Sequence, residues 1–374
     1  MAGGSTFAWA HALRLDSNKS PFDSPMAVTH KAFHGVQPVS YKRYNIGGIL
    51  TTLYGLEELP HHPSEIVCFW LLHGRGDTQD SMAYTAASLL NKHNAERRKR
   101  KAGEGGKGLI FACFDQRNHG SRMVDNLSNV SWKQGNATHG PDMFSLYVGT
   151  ANDLSLLITS LEHLIPFKIK EHVCGGLSLG GHATWVVLMR EPRVRAGMVV
   201  VGCPDYVRLM TDRAIRSKVP STMSTDPPGL EFLGSSDFPQ SLLAAVEEYD
   251  PAGILLSELD VYGKDDHLHA PSENEVKRLR PILERTLQGK KILCLSGGKD
   301  RLVPHQQGEV FMSWMKRAID AKTGWAKDMG IELEDVVDEK AGHEFSKGMI
   351  EHAQRWICDY LLNEERTEAG RSKL

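Results

Sequence analysis

The stretch Cys174-Gly-Gly-Leu-Ser-Leu-Gly-Gly-His182 contains the pattern Gly-x-Ser-x-Gly, with Ser178 at its centre. A strand-like run at 171–174 precedes the pattern and a helix-forming run at 183–189 follows it, which predicts a strand, a tight turn and a helix. On such a turn the serine hydroxyl is exposed, and the flanking glycines leave room where side chains would collide. We therefore predict that Ser178 is a nucleophile, against the alternative that the stretch is a glycine-rich structural turn.

Strand-like and helix-like segments alternate on both sides of this stretch. The strand-like runs are short, mostly apolar and rich in β-forming residues, and the segments between most of them have helical periodicity. This alternation predicts a mostly parallel sheet with helices on both faces, an α/β architecture. The predicted strands lie at 49–59, 65–72, 108–114, 172–177, 197–201, 291–296 and 331–337, and the predicted helices at 80–91, 152–165, 182–190 and 309–321.

A serine hydroxyl needs a base to act as a nucleophile at neutral pH. Among the 17 histidines, His343 is the best placed, because it follows the last strand-like run and precedes a predicted helix at 346–362. A loop at a strand end can carry an imidazole over the edge of the sheet toward a neighbouring strand. The alternative is that His343 is an ordinary surface loop residue.

The base needs a carboxylate that fixes its tautomer and stabilises the imidazolium. Asp300 follows the strand-like run at 291–296, one strand before His343, and we predict that it is the acid. Asp205, which follows the strand one step earlier, is the rival. Asp300 could also cap a helix before Val303, a structural role that is compatible with catalysis.

The order Ser178, Asp300, His343 is the serine, acid, histidine order of the α/β-hydrolases. Over residues 44–363 the chain resembles this superfamily, with a His73-Gly74 loop after the third strand and an Asp115–Ser121 segment after the fourth, where Asn118 replaces the usual Gly. The resemblance implies an α/β-hydrolase fold with a mostly parallel central sheet flanked by helices and with an inserted helical cap.

The resemblance also implies an oxyanion hole. One donor is the backbone N–H of Leu179, after the nucleophile, and the other is that of Arg75, although Gly76 could serve. The Arg75 side chain could meet an anionic substrate, but we expect it to be solvated or paired with Asp77 or Asp80.

A serine at this turn indicates acyl transfer, because the dehalogenases and epoxide hydrolases of the superfamily carry aspartate there. The predicted function is a serine hydrolase of ester or thioester substrates that needs neither a cofactor nor a metal. The segment 265–269 contains acidic residues and histidines, but a metal site there is not expected. The alternatives are an acyltransferase or cyclase, a hydrolase of toxin or secondary-metabolite biosynthesis, and a non-catalytic ligand-binding protein.

The predicted organisation places the excess length of the chain in an insertion and an N-terminal extension. The long connection between the strand-like runs ending at 201 and starting at 291 contains apolar residues that need burial, which favours a helical cap over a disordered linker. The predicted divisions are an N-terminal extension at 1–43, core at 44–204, the cap at 205–285, core at 286–363 and a tail at 364–374.

Composition and charge exclude several classes of protein. The 374 residues carry a formal net charge of −2, so no overall basic field is available for nucleic acid, and we expect the basic run at 95–107 to be a solvated loop. No run of about 18 apolar residues is present, so no transmembrane segment is expected. The six cysteines form no CxxC pair, which predicts buried free thiols in a reducing compartment.

The chain ends in Ser372-Lys373-Leu374, the tripeptide that a peroxisomal import receptor reads. We therefore expect a peroxisomal location, with this receptor and a small-molecule acyl substrate as partners. In this respect the chain is similar to fungal peroxisomal esterase-lipase proteins, some of them encoded in toxin biosynthesis clusters.

Overall fold

The computed structural model describes residues 19–25, 31–61, 63, 65–100, 107–260 and 268–371. The strands are β1 Tyr41–Ile46, β2 Ile49–Tyr54, β3 Ile66–Leu72, β4 Gly108–Phe114, β5 Ile169–Leu177, β6 Val194–Val200, β7 Lys291–Gly297 and β8 Glu332–Asp338. The longer helices are α1 Ala83–Lys99, α2 His139–Leu161, α3 Leu179–Arg190, α4 Tyr206–Ser217, α5 Gln240–Tyr249, α6 Pro251–Leu256, α7 Glu273–Thr286, α8 Glu309–Ala318 and α9 Lys347–Arg371.

The described strands form one eight-stranded sheet in the order β1-β2-β4-β3-β5-β6-β7-β8. β2 pairs antiparallel with both β1 and β4, and every other neighbouring pair is parallel. The strand order reverses between β3 and β5, and loops that leave such a switch point at the carboxyl ends of the strands commonly form a binding crevice. The predicted fold class, a mostly parallel sheet between helices, is confirmed.

The central strands are buried on both faces, and their side chains alternate between two hydrophobic clusters. In β3, Phe69 and Leu71 point into the cluster beneath α1 and α9, whereas Trp70 and Leu72 point into the cluster shared with α2 and α3. All seven residues of β3 are buried. This explains why the strand is an unbroken apolar run in the sequence instead of an alternating one.

The region predicted to be a cap is folded against the sheet layers. Leu209 of α4, Val246 of α5, Leu255 of α6 and Leu279 of α7 are each at most 1% exposed and belong to the same cluster as Trp70. A disordered linker is therefore excluded for the described part of this region. The boundary at 285 falls in the last turn of α7, and the divisions at 44–204, 205–285 and 286–363 stay a prediction.

Several element bounds differ from the sequence prediction: α1 continues to Lys99, so residues 95–99 of the basic run are helical and not part of a loop. β1 begins at Tyr41, before the predicted core start at 44, because this edge strand buries only Ile46 and so lacks an apolar run. α2 begins at His139 instead of residue 152, with a proline in its first turn, where a missing N–H is tolerated. α9 continues to Arg371 through residues predicted to be a polar tail, a stretch rich in the good helix formers Glu and Arg.

The six cysteines are buried and free, as predicted, and burial raises the pKa of the Cys174 thiol to about 12. None of the helices in the described ranges combines the length and the apolar character that a bilayer span requires. Several sequence predictions lie outside the described residues: most of the N-terminal extension, residues 101–106 of the basic run, residues 265–267 and the terminal Ser372-Lys373-Leu374.

Candidate active site

Ser178 is the single residue between the end of β5 and the start of α3, and its backbone is strained. Its φ of 56° and ψ of −111° lie where side chains are disfavoured. The Ser178 amide donates to the Val200 carbonyl of β6 at 2.9 Å, which fixes the turn against the neighbouring strand. A Cβ built on Gly176 would lie 2.3 Å from the backbone of Gly180, so a side chain there would push the turn apart.

The strain at Ser178 predicts a measurable stability difference. Ser178→Gly is expected to have a free energy of unfolding about 1 kcal/mol higher than Ser178→Ala, and so to unfold at a higher temperature. Both variants lack the hydroxyl, but only glycine relieves the backbone strain. Thermal unfolding of both proteins measures the difference. Ser313 in α8 provides the control pair, where glycine should be less stable than alanine because the position is helical. Equal melting temperatures for the two Ser178 variants would contradict the strained geometry.

The structure brings Ser178, His343 and Asp300 into one chain of hydrogen bonds. His343 lies in the loop between β8 and α9, with its Nε2 2.8 Å from Ser178 Oγ and its Nδ1 2.7 Å from Asp300 Oδ2. The loop is held against the end of β7 by the Lys299 amide, which donates to the Ala341 carbonyl at 2.9 Å. Three loops that are distant in sequence thus meet at the carboxyl edge of the sheet.

Asp300 is buried and hydrogen-bonded through both carboxylate oxygens. While Oδ2 faces His343, Oδ1 accepts from the amides of Leu302 at 2.8 Å and Val303 at 2.9 Å. Burial acts to raise the pKa of the Asp300 carboxyl, but the hydrogen bond and charge of His343 and the two amides together lower it below its usual value. The carboxylate is therefore ionised at neutral pH and oriented before a substrate arrives.

The rival acid Asp205 does not contact His343. Its side chain caps α4 by accepting from the Arg208 amide at 3.0 Å, and its carboxylate lies 3.4 Å from the Arg208 guanidinium. Asp205 thus occupies the helix N-cap position that aspartate commonly fills. The geometry places Asp300, not Asp205, beside the imidazole.

Two backbone amides near the nucleophile have no backbone acceptor. Within the described ranges, neither the Leu179 amide, at the start of α3, nor the Arg75 amide, in the loop after β3, donates to a carbonyl. The loop is tied to α3 because the Gly180 amide donates to the His73 carbonyl at 3.1 Å. A Cβ built on Gly74 would lie 3.9 Å from that of Ser178, so the loop passes directly beside the serine.

The loop after β3 is braced by the segment after β4. The Gln116 amide donates to His73 Nε2 at 3.0 Å, and Asp115 accepts from the amides of Gln79 and Ser121, each at 2.8 Å. Asn118 occupies the position where the resemblance predicts Gly. Its φ is 57°, in a region that asparagine tolerates better than most residues. This segment is structural and supports the site without entering it.

Of the predicted alternatives for the Arg75 side chain, pairing with Asp77 or Asp80 is not formed, and the side chain is partly exposed. Asp80 forms its salt bridge with Arg43 at 3.0 Å, and no described acidic residue forms one with Arg75. The Arg75 guanidinium lies instead 3.5 Å from the buried ring of His139. Sequence reasoning missed His139 and its further neighbour Arg213, because neither belongs to a motif.

No group of three or more His, Cys, Asp or Glu side chains among the described residues could hold a metal ion. The arrangement at the sheet edge consists of a hydroxyl, an imidazole, a carboxylate and two backbone amides. It can supply a nucleophile, a proton carrier and two hydrogen bonds to a developing negative charge.

Comparison with known proteins finds similar solved structures but no match by sequence. No family model and no curated protein matches it. Similar solved structures include an acylaminoacyl peptidase of Pyrococcus horikoshii, with 12% identity, a TM-score of 0.48 and coverage of 88% of this chain and 42% of that one. An esterase of Pyrococcus furiosus has 14% identity, a TM-score of 0.44 and coverage of 87% and 91%. Est1E of Butyrivibrio proteoclasticus, solved with ferulic acid, has 14% identity, a TM-score of 0.41 and coverage of 86% and 98%.

These sequence identities and TM-scores are too low to support any functional argument. The fold is therefore identified from the sheet. The strand order with β2 as its antiparallel member, the helices on both faces and the sharp turn after β5 are those of the α/β-hydrolase fold. The chain has this fold. What it does is a separate question, because one fold carries many functions.

Proposed function

We propose that this protein is a serine hydrolase that cleaves ester or thioester bonds of acyl substrates through an acyl-enzyme intermediate. The observation that carries the proposal is the continuous hydrogen-bonded chain from Ser178 through His343 to Asp300, with contacts of 2.8 and 2.7 Å. A protein that only binds ligands has no need to keep all three groups aligned. Two unsatisfied amides beside the hydroxyl complete what acyl transfer requires.

In the acylation step Ser178 Oγ attacks the substrate carbonyl carbon while His343 Nε2 takes the hydroxyl proton. The electron pair of the carbonyl moves to its oxygen, and the Leu179 and Arg75 amides donate to that oxyanion. Asp300 holds the imidazole by Nδ1 and stabilises its positive charge. When the intermediate collapses, His343 returns the proton to the departing alcohol or thiol, and the acyl group remains as an ester of Ser178.

Deacylation repeats these steps with water as the nucleophile. His343 takes a proton from the water, the Ser178 ester is cleaved, and the acid leaves as Ser178 regains its proton. If an alcohol, amine or thiol replaces water, the same residues perform acyl transfer or cyclisation. Product analysis with and without added acceptors distinguishes these outcomes, and hydrolysis as the sole outcome supports the proposal.

The substrate class is tested with a panel of 4-nitrophenyl esters and acyl-coenzyme A thioesters of increasing chain length. We expect turnover of at least one series, with kcat/KM depending on acyl length. Complete inactivity on both series, for a protein that also resists a fluorophosphonate probe, would contradict the proposed function.

We also propose a peroxisomal location, which the terminal Ser372-Lys373-Leu374 supports. Deleting these three residues from a chain tagged at its N-terminus with a fluorescent protein is expected to change a punctate distribution into a diffuse cytosolic one. The receptor reads the tripeptide itself, so residues 364–374 fused to the fluorescent protein should reach the organelle. Fluorescence imaging beside a peroxisomal marker measures both, and unchanged targeting of the shortened chain would refute this location signal.

A further inference from the structure

Two arginines enclose a buried histidine next to the candidate active site. His139, the first residue of α2, is fully buried, with Nδ1 3.5 Å from Arg75 Nη1 and Nε2 3.3 Å from Arg213 Nη1. A neutral imidazole has one nitrogen that accepts and one that donates. The ring can therefore accept a hydrogen bond from only one of the two guanidinium groups, and its other nitrogen donates to the Val130 carbonyl.

Neither arginine has an acidic partner among the residues that the structure describes. No described Asp or Glu forms a salt bridge with Arg75 or Arg213, although Arg213 is only 9% exposed. The remaining hydrogen-bond partners of Arg213 are uncharged: the Met143 sulfur at 2.9 Å, the Met210 sulfur at 3.8 Å and the Leu302 carbonyl at 3.0 Å. Buried arginines are rare unless an anion pairs with them, so this arrangement is energetically costly.

The electrostatics of the cluster agree with this geometry. Burial lowers the pKa of His139 to about 2, and Arg213 and Arg75 act in the same direction. Burial also lowers the pKa of Arg213 to about 10, with a further contribution from Arg75. At neutral pH the ring is therefore uncharged while both guanidinium groups keep their charges, which leaves two like charges around a neutral group.

The cluster borders the reacting groups on two sides. Arg75 provides the loop amide beside Ser178, so its side chain begins at the candidate oxyanion hole. Arg213 is bonded to the carbonyl of Leu302, whose amide donates to Asp300. An anion bound by the two guanidinium groups would therefore lie beside the loops that hold Ser178 and Asp300.

We propose that Arg75 and Arg213 bind an anionic group of the substrate, a carboxylate or phosphate close to the carbonyl that Ser178 attacks. Arginine suits this task because its planar fork matches the two oxygens of such a group. The inference rests on the proposed function, which it narrows to acyl substrates carrying a negative charge near the cleaved bond.

The test compares charged and neutral substrates of equal shape. The carboxylate arm compares mono(4-nitrophenyl) esters of dicarboxylic acids with 4-nitrophenyl esters of monocarboxylic acids of the same length. The phosphate arm compares 4-nitrophenyl esters of phosphonocarboxylic acids with 4-nitrophenyl esters of monocarboxylic acids of the same length. We expect kcat/KM at least tenfold higher for the charged member of one pair, and the arm in which this occurs identifies the anion.

Arg213→Gln and Arg75→Gln should each remove most of that preference, mainly by raising KM for the charged substrate, while Arg213→Lys should retain part of it. The matched control is Arg216→Gln, one turn along α4. In the wild type, Arg216 contacts the Arg301 carbonyl and pairs with Asp212. If Arg213 only held the loop that contains Asp300, its loss would reduce turnover of charged and neutral substrates equally. That result would overturn the inference.

A binding measurement separates this inference from the proposed function. Dicarboxylates and inorganic phosphate, compared with chloride at equal ionic strength, should raise the melting temperature of the wild-type chain and of Arg216→Gln but not of Arg213→Gln. Stabilisation without any esterase activity would support the anion site and count against the hydrolase. Turnover of neutral esters with no charge preference and no stabilisation would overturn the anion site and leave the hydrolase standing.

Discussion

Ser178→Ala is expected to lower kcat for ester hydrolysis by a factor of about 10⁵ to 10⁶, down to the residual rate that oriented amides and binding alone can provide. The Ser178 hydroxyl is the only proposed nucleophile, and alanine has no hydroxyl proton for His343 to take. Rates with a 4-nitrophenyl ester measure the loss. Labelling by a fluorophosphonate probe should disappear together with the activity, since the probe reacts with the same activated oxygen.

The control for this loss is Ser313→Ala, which removes a hydroxyl on the exposed face of α8 that bonds only to Glu309 at 2.6 Å. It should keep full labelling and full activity. Alanine keeps the Cβ of Ser178 and the same backbone, so the variant should also fold and unfold as the wild type does. Persistent labelling of Ser178→Ala would show that the nucleophile lies elsewhere in the chain.

The three residues that meet at the candidate site were predictable from the sequence because each lies at a position that the fold repeats. Ser178, Asp300 and His343 each follow a strand, and parallel strands bring their carboxyl ends to one edge whatever the length of chain between them. The two glycines of the motif also indicated the tight turn, because Gly176 and Gly180 pack so closely that any side chain would collide. Local pattern and topology therefore determined the three positions without knowledge of the packing.

The features that sequence reasoning missed depend on packing between distant elements. Acidic residues follow Arg75 closely in the sequence, which suggested an ion pair, but Asp80 is turned toward Arg43 of β1. His139 and Arg213 lie at the start of one helix and in the middle of another, and only the tertiary fold brings them together. The edge strand β1 was missed for another reason, since an exposed strand needs no apolar run.

Asp300→Asn is expected to lower kcat by about 10⁴ while leaving the fold intact. The amide keeps the volume of the carboxylate, but its nitrogen facing His343 Nδ1 would favour the wrong tautomer, and no negative charge would remain to stabilise the imidazolium. The pKa of Asp300 lies below its usual value, so the wild-type carboxylate is already ionised well below neutral pH. The asparagine amide does not ionise, so raising the pH cannot restore the missing charge in the variant. Steady-state rates across neutral pH measure the effect.

Asp205→Asn is the matched control, because it makes the same change at the rival acid. Asparagine caps a helix about as well as aspartate, so α4 should keep its first turn. Asp205 also faces the buried Asp250, whose pKa is raised well above its usual value by burial and then by Asp205, so loss of this charge relieves a repulsion. Activity of this variant should stay within a few-fold of wild type. Equal losses in Asp205→Asn and Asp300→Asn would mean that the hydrogen bond from His343 does not identify the working acid.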